Sequence, residues 1–194
     1  MSELWGTLAR GKMKNVIKLI GIGFIITALC SSYILYQTSI NYVHITEAEL
    51  NCSIMPLEIQ ISDLNASEVV VSVLFNVSNP SPISIFVYDL TYNLEAAVDV
   101  TTDYHWQYIG RGTERGKTPY DTDKGVEVFP KGYQRLYVNL TVRDQSTIDK
   151  LDHTFDIDGM HLHVLRIKGA MFYRIGDFED VVNKIDIEEL MYCE

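Results

Sequence analysis

Apolar and polar residues alternate with a period of two over much of the chain after residue 68. Apolar residues occupy every second position in 69–77 and in 136–142. Because successive side chains of a strand point to opposite faces, this period predicts β-strands that bury one face. The pattern continues in 83–94 and in 161–175, the second of which we expect to be interrupted at Gly169. The chain after residue 50 is therefore expected to be mainly β.

Residues 145–155 depart from this alternation and favour a short helix. Ser146 or Thr147 is a suitable N-cap, because a side-chain hydroxyl can accept a hydrogen bond from an unpaired amide of the first turn. Ile148 and Leu151 lie three positions apart, so they would face the interior from one side of that helix.

Turn-forming residues separate the predicted strands, at 79–82, 130–132, 158–159 and 176–177. Proline ends a strand because it has no backbone donor, and glycine allows a positive φ. The tail at 178–192 fits a helix or a final strand, and we favour a strand over 182–187. Several short strands joined by turns predict one antiparallel β-sandwich domain over 51–194, rather than an α/β fold.

A long uncharged stretch near the N-terminus predicts a membrane-spanning helix. Residues 19–36 contain no charged side chain. With Val16 and Ile17 added, and with the Lys18 amine extended toward the interface, the predicted transmembrane helix covers 16–36. At 1.5 Å per residue its length is roughly 31 Å, which matches the core of a bilayer.

Charge is distributed unequally on the two sides of this stretch. Residues 1–18 carry four basic side chains against one acid, whereas 37–194 carry 12 basic and 25 acidic side chains, a net charge of −13. The positive-inside rule then predicts a cytoplasmic basic tail (1–15), a stalk (37–50) and an extracellular or lumenal domain at the plasma membrane. The bilayer is the first expected partner, and the acidic balance argues against nucleic acid.

Two processing events would change this interpretation. A cleaved signal peptide has an apolar core of about 7–15 residues that ends in small residues. The stretch here is longer, and Leu29 before Cys30 makes a poor site for cleavage or lipidation. A pilin-type leader cut after Gly11 would leave lysines in the mature apolar segment. An uncleaved anchor is therefore favoured.

Small residues recur at every fourth position within the predicted span, at Gly23, Thr27 and Ser31. This spacing places them on one face of a helix, where they would let a second helix approach closely. Small residues are also common in spans that pack against no other helix. Association through this face is thus one candidate route to assembly with another membrane protein or with copies of the chain.

Four N-glycosylation sequons follow the predicted span and none precedes it, at Asn51, Asn65, Asn76 and Asn139. Asn76 and Asn139 fall on the phase of their predicted strands that faces away from the core. There a glycan would project into solvent. The distribution agrees with a glycoprotein domain exposed at the cell surface.

Cys52 and Cys193 bracket the predicted β domain. In an oxidising compartment they could join the tail to the stalk through a disulfide. Two free thiols are the alternative, and the sequence leaves both open. Cys30 lies within the predicted span, where it acts as a small apolar residue.

A long polar segment at 101–128 carries Arg111, Arg115 and Lys117 on an otherwise acidic domain. One interpretation is a protruding contact loop for an anionic surface or a partner. The other is a hairpin whose charges are simply hydrated. We favour the hydrated hairpin, because isolated loop charges usually have no other role.

Several motifs follow one another along the β domain. The strand at 69–78 ends in Asn79, Pro80 and Ser81, where Pro80 stops strand pairing and Asn79 can bond to nearby backbone. Further motifs are Tyr-Asn-Leu at 92–94, Ile-Gly-Arg-Gly at 109–112, Val-Phe-Pro-Lys-Gly at 128–132 and the glycine-containing strand at 167–173. Over about residues 51 to 190 this order resembles the late embryogenesis abundant type 2 (LEA_2) family, also described as the WHy domain.

The resemblance implies an immunoglobulin- or fibronectin-III-like antiparallel sandwich, which in many members follows a single N-terminal span. Some members are linked to stress protection, and others to lipid handling or membrane-associated assemblies. The family has no established catalytic residues to transfer to this chain. The long segment at 101–128 departs from the family pattern.

No motif typical of an enzyme stands out, neither a nucleophile elbow, a phosphate-binding loop nor a Cys-x-x-Cys pair. We therefore expect a non-enzymatic module, without cofactor or metal, that acts by binding or assembly in the cell envelope. Its partner would be another envelope protein, a glycan or a lipid. The alternatives are a lipid-binding domain with an apolar cavity, and a stator or subunit of a surface filament or membrane complex.

Overall fold

The structure is a computed structural model that describes residues 2–62, 64, 67–100, 104–114, 125–176 and 182–193. The chain divides into two units, one ending at Val43 and one beginning at His44. Helix α1 (Ser2–Asn51) forms the first unit and contributes its last turns to the second.

Helix α1 contains a stretch, Lys18–Asn51, that is long and apolar enough to cross a membrane. The mean hydropathy of its most apolar window of 18 residues is 2.0, and none of that window is buried against protein. The predicted apolar helix is confirmed as a helix, and it continues without interruption through 37–50. The boundaries 16–36 of the membrane span stay a prediction.

The β domain contains strands and one short helix, which follow in chain order. They are β1 (Ser53–Ile61), β2 (Val69–Asn79), β3 (Ile85–Val100), β4 (Tyr104–Glu114), β5 (Val126–Val128), β6 (Gly132–Val142), α2 (Gln145–Leu151), β7 (Phe155–Ile157), β8 (Met160–Ile175) and β9 (Val182–Cys193). The tail is thus a strand, as favoured, and it extends beyond 182–187.

These strands form two antiparallel sheets within the described ranges. One sheet has the order β1-β2-β6. In the other, β3 pairs with β8 along one edge and with β5 and then β4 along the opposite edge, while β8 also pairs with β7 and β9. The predicted mainly β, antiparallel sandwich is confirmed.

The inward faces of the two sheets form the core, and the alternate residues that were predicted to be buried are the buried ones. The apolar residues of β2 from Val69 to Val77 are fully buried at alternate positions, as are those of β6 from Leu136 to Val142 to within a few per cent. The Tyr92 ring lies at the centre, 5.6 Å from the ring of Phe75 between centroids. Its hydroxyl donates a long hydrogen bond, 3.4 Å, to the Val138 carbonyl.

Within the polar segment 101–128, residues 104–114 form strand β4, which pairs with β3. This pairing does not decide between the contact loop and the favoured hydrated hairpin, so both stay predictions. The glycines there make room for the core. A Cβ added to Gly112 would lie 2.3 Å from Cε1 of Tyr92, and one added to Gly110 would lie 2.8 Å from Cδ1 of Leu140. Glycine is present for close packing rather than for a turn.

Strand β8 is continuous through Gly169, where an interruption was expected. A Cβ at Gly169 would lie 2.2 Å from the Thr91 carbonyl oxygen of β3. The glycine therefore marks a close approach of two paired backbones and not a break.

Helix α2 confirms the predicted element and its inward side chains, since Ile148 and Leu151 are buried. The cap, however, is Asp144 and not Ser146 or Thr147. Its carboxylate accepts hydrogen bonds from the Thr147 amide at 3.0 Å and from the hydroxyls of Ser146 and Thr147 at 2.6 and 2.8 Å. The two hydroxyls thus donate to the cap, and these bonds lower the pKa of Asp144, that from Ser146 most.

Candidate binding groove

The Asn79 side chain is the centre of a buried polar network at one end of the sandwich. Its amide nitrogen donates to the carbonyls of Ile83, Val128 and Phe129 at 2.8, 3.0 and 3.2 Å. One side chain therefore joins the end of β2 to the turn before β3 and to the segment that follows β5. Pro80 comes directly after it, and strand pairing ends there.

The amide oxygen of Asn79 is satisfied as well. It accepts from the Ser81 amide at 3.2 Å and from the Ser81 hydroxyl at 2.7 Å. The Cys52 thiol, one residue after α1, donates to the same oxygen at 3.6 Å. Ala48 of α1 is fully buried, and its carbonyl accepts from the Cys52 amide at 3.1 Å. The residues singled out as Asn79-Pro80-Ser81 thus serve the fold.

The two cysteines that bracket the domain lie at opposite ends of it. Cys52 contacts Asn79. Cys193 pairs with His163 of β8, and His163 lies twelve residues before Ile175 on that strand. Ile175 is at the Asn79 end, because the first residue of β3 pairs with both Ile175 and Val128. Twelve strand residues span about 40 Å, and a disulfide needs Cα atoms within about 7 Å.

The structure accordingly contains Cys52 and Cys193 as free thiols, the alternative that the sequence left open. Burial raises the pKa of each thiol to about 11. Both therefore stay protonated near neutral pH, a state of low reactivity. Cys30 is also a free thiol, exposed on α1.

The sequon asparagines occupy different environments. Asn139 is exposed on β6, and Asn76 is partly buried on β2, both on the face away from the core, as the alternation predicts. Asn51 is exposed at the end of α1, where its amide donates to the Glu47 carbonyl at 2.9 Å. Asn65 lies outside the described residues. Glycosylation stays a prediction.

The small-residue face and the basic cluster complete the predicted site residues. Gly23, Thr27 and Ser31 are exposed on α1, where the Thr27 hydroxyl donates to the Gly23 carbonyl at 2.9 Å. Arg111 is exposed on β4. Residues 115 and 117, the other two cations of the cluster, lie outside the described ranges.

The outer face of the larger sheet contains an open groove of about 440 Å³ around Arg111. Its lining comes from β3, β4, β8 and β9. The residues are Asp89, Thr91, Tyr92, Asn93, Arg111, Lys168, Gly169, Ala170, Phe172, Lys184 and Asp186.

Strand register explains why these residues meet. Asn93 of β3 pairs with Arg111 on one side and with Lys168 on the other, which places the three side chains in one row across the sheet. The next row contains Thr91 and Ala170. Because these side chains are short and the neighbouring ones are long, the surface is depressed between them.

A third row closes the groove. Asp89 pairs with Phe172, and Phe172 pairs with Lys184 of β9. The Asp89 carboxylate accepts from the Thr91 hydroxyl at 3.1 Å, and the Phe172 ring lies 6.2 Å from that of Tyr88 between centroids. Hydrogen bonding and ring contact thus orient this wall.

The groove is less acidic than the domain around it. Three cations and two carboxylates line it, whereas 37–194 carry a net charge of −13. Lys168 pairs with Glu188 at 3.1 Å, and Lys184 pairs with Asp186. In the part of the chain that the structure describes, Arg111 has no ion-pair partner.

Sequence reasoning singled out Arg111 and missed its neighbours. Lys168, Phe172 and Lys184 fall on the outward phase of their strands, and that phase was readable. Their proximity to Arg111 depends on which strands are adjacent, which alternation does not encode. Among the described residues, no group of three or more His, Cys, Asp or Glu side chains is arranged to hold a metal ion.

Comparison with known proteins gives a distant likeness of fold. No family model matches the chain, and no curated protein matches it. A protein from Archaeoglobus fulgidus is 17% identical with a TM-score of 0.45, covering 73% of this chain and 96% of the other. A protein described as late embryogenesis abundant (LEA) is 11% identical with a TM-score of 0.43, covering 84% and 88%.

The ApaA protein of Bordetella pertussis is 10% identical with a TM-score of 0.38, covering 72% of this chain and 93% of that one. Such values carry no argument about function. The fold defines an antiparallel β-sandwich protein with an apolar N-terminal helix. Membership of the LEA_2 family stays a prediction.

Proposed function

We propose that the protein is a single-span, membrane-anchored module whose β-sandwich binds a partner in the cell envelope, on the extracellular or lumenal side. The observation that carries this proposal is the exposure of α1. Side chains at 18–39 are exposed throughout, including Phe24 at 76% and Leu29 at 65%. An apolar surface of this extent needs an apolar environment, and the bilayer supplies one.

The charge distribution supports the orientation. Four basic residues precede the apolar stretch, and the domain that follows it is strongly acidic. The positive-inside rule favours a cytoplasmic N-terminus in such a chain. Glycans at exposed sequons such as Asn139 belong to the same proposal.

The groove supports binding at the surface of the sandwich over lipid binding between its sheets. A lipid site would need an apolar cavity in the interior. The centre of that interior is filled by the side chains of Tyr92 and Phe75. The groove, by contrast, is open, and charged side chains of β3, β4, β8 and β9 line it.

Orientation is tested by protease digestion of intact cells that carry the full chain with a different epitope at each end. The C-terminal epitope should be digested from outside, while the N-terminal epitope, the internal control, should survive until the membrane is permeabilised. Protection of the C-terminal epitope on intact cells, together with its digestion in sealed microsomal vesicles that have not been permeabilised, would contradict the proposed orientation.

Binding is tested by extraction in mild detergent and identification of what co-purifies. A partner in fixed stoichiometry, protein or glycan, is the expected result. Recovery of a lone, unliganded monomer under conditions that preserve other envelope complexes would contradict the proposed role.

A further inference from the structure

We infer that the groove on the outer face of the larger sheet binds an acidic saccharide, a sugar unit that carries one carboxylate. The inference rests on the proposed function, because it names a ligand class for that binding module. It follows from the combination of donors, acceptors, an unneutralised guanidinium and one aromatic ring in the same depression.

The groove presents both hydrogen-bond donors and acceptors. Arg111, Lys168 and Lys184 only donate, whereas the carboxylates of Asp89 and Asp186 only accept. A sugar hydroxyl does both, so it can satisfy either kind of group. A bare sulfate has no hydrogen to donate to either carboxylate and a phosphate dianion has only one, whereas a sugar offers several hydroxyls.

Arg111 accounts for the acidic part of the ligand. The two lysines already pair with carboxylates of β9, so their charge is largely neutralised within the sheet. Arg111 has no such partner among the described residues, and it stands next to Asn93 in the same row. A planar guanidinium binds a carboxylate through two parallel hydrogen bonds, which favours a carboxylated sugar over a neutral one.

Phe172 and Ala170 account for the apolar part. Phe172 is only partly buried, and Tyr88 contacts its ring. The short side chain of Ala170, in the adjacent row, leaves space beside that ring. One face of a pyranose consists of C–H groups, which can pack there. The groove volume of about 440 Å³ is within the range of small-ligand sites.

The experiment measures binding of a galacturonic acid trisaccharide to the full chain in detergent micelles by titration calorimetry. The test variant is Arg111→Gln. The matched control is Arg135→Gln, an exposed arginine at the same kind of strand position on the outer face of the smaller sheet. We expect about a tenfold loss of affinity for Arg111→Gln, no change for Arg135→Gln, and weaker binding as salt increases.

Two further ligands and one further variant decide the chemistry. A neutral galactose trisaccharide should bind at least about tenfold more weakly than the acidic one, and inorganic phosphate should not compete. Phe172→Leu should weaken both saccharides equally, because it removes ring contact and no charge. Equal loss in Arg111→Gln and Arg135→Gln, competition by phosphate, or no binding of the acidic trisaccharide would each overturn the inference.

The failure of this inference is distinguishable from failure of the proposed function. The titration uses purified protein, so its outcome does not depend on membrane orientation. Protease accessibility and partner capture, in turn, do not involve Arg111. A correctly oriented protein with a stoichiometric protein partner and no affinity for the trisaccharide would retain the proposed function and reject the saccharide.

Discussion

Two polar clusters in the β domain contain similar side chains but have different roles. One is buried and stabilises the fold, and the other lines an exposed groove. At the Asn79 junction the amide makes its hydrogen bonds to groups of the chain itself, with Asn79 and Ser81 fully buried. In the groove Asn93 and Arg111 are exposed, and their rows lie open to solvent. The same residue type, asparagine, thus closes the fold in one place and lines a surface in the other.

The comparison shows which process each cluster contributes to: the Asn79 junction to folding, and the groove to ligand binding. A buried polar group without its partner costs far more than the net gain from one hydrogen bond, so the junction is sensitive to any loss. An exposed group exchanges water for a ligand, so its contribution is to binding rather than to folding. Substitutions at the junction should therefore lower the free energy of unfolding, and substitutions in the groove should lower binding affinity and leave stability nearly unchanged.

The largest effect is expected for Asn79→Ala. Three backbone carbonyls each lose one donor, and the Ser81 amide, the Ser81 hydroxyl and the Cys52 thiol lose the oxygen they donate to. The free energy of unfolding should fall by roughly 3 kcal/mol or more. Asn93→Ala, the matched control in the groove, should change it by no more than about 0.5 kcal/mol. Urea unfolding of the full chain in micelles measures both. Comparable losses in the two variants would remove the distinction between the clusters.

A smaller effect is expected for Gly112→Ala. The added methyl group meets the Tyr92 ring, which is buried and cannot move aside, so we expect a loss of about 1–3 kcal/mol. The adjacent Thr113 is exposed, and Thr113→Ala should leave the free energy of unfolding nearly unchanged. The thermal midpoint of each variant is the measurement. An unaltered midpoint for Gly112→Ala would mean that the glycine is not required by packing.

The remaining prediction concerns alkaline pH. Burial raises the pKa of the Cys52 and Cys193 thiols from 9.0 to about 11, and it raises those of Tyr92 and Tyr173 further. Between pH 9 and 11 the unfolded chain loses thiol protons that the folded chain keeps, so stability should decrease as pH rises. Urea midpoints measured from pH 7 to 11 give this slope.

Cys52→Ala should make the decline shallower, since one of the shifted thiols is absent. A urea midpoint that stays constant up to pH 11 in the unmodified chain would contradict the buried, protonated state of these groups.

Prediction from sequence succeeded where the signal is local. The alternation at 136–142 identified the buried face of β6, and the spacing of Ile148 and Leu151 identified the inward side of α2. These features depend on neighbours within a few residues, which the sequence lists directly.

It failed where distant segments decide. Gly110 and Gly112 look like loop residues, but they are required by Leu140 and by the Tyr92 ring, which come from other strands. The groove likewise exists only once β4, β3, β8 and β9 are adjacent. The cap of α2 was missed because the Asp144 carboxylate, and not the hydroxyl of Ser146 or Thr147, accepts the hydrogen bond from the first-turn amide of Thr147.

The attachment of Cys52 to Asn79 has a mechanical consequence. Tension applied along 44–51 enters the sheets where β1 begins, at the pair Ser53 and Ser78. Pulled from that end, the residue pairs of two antiparallel strands separate one after another, which needs only a low force. The hydrogen bonds of Asn79 would have to break before the Ser53–Ser78 pair separates. They therefore set the force at which the domain begins to unfold from this end.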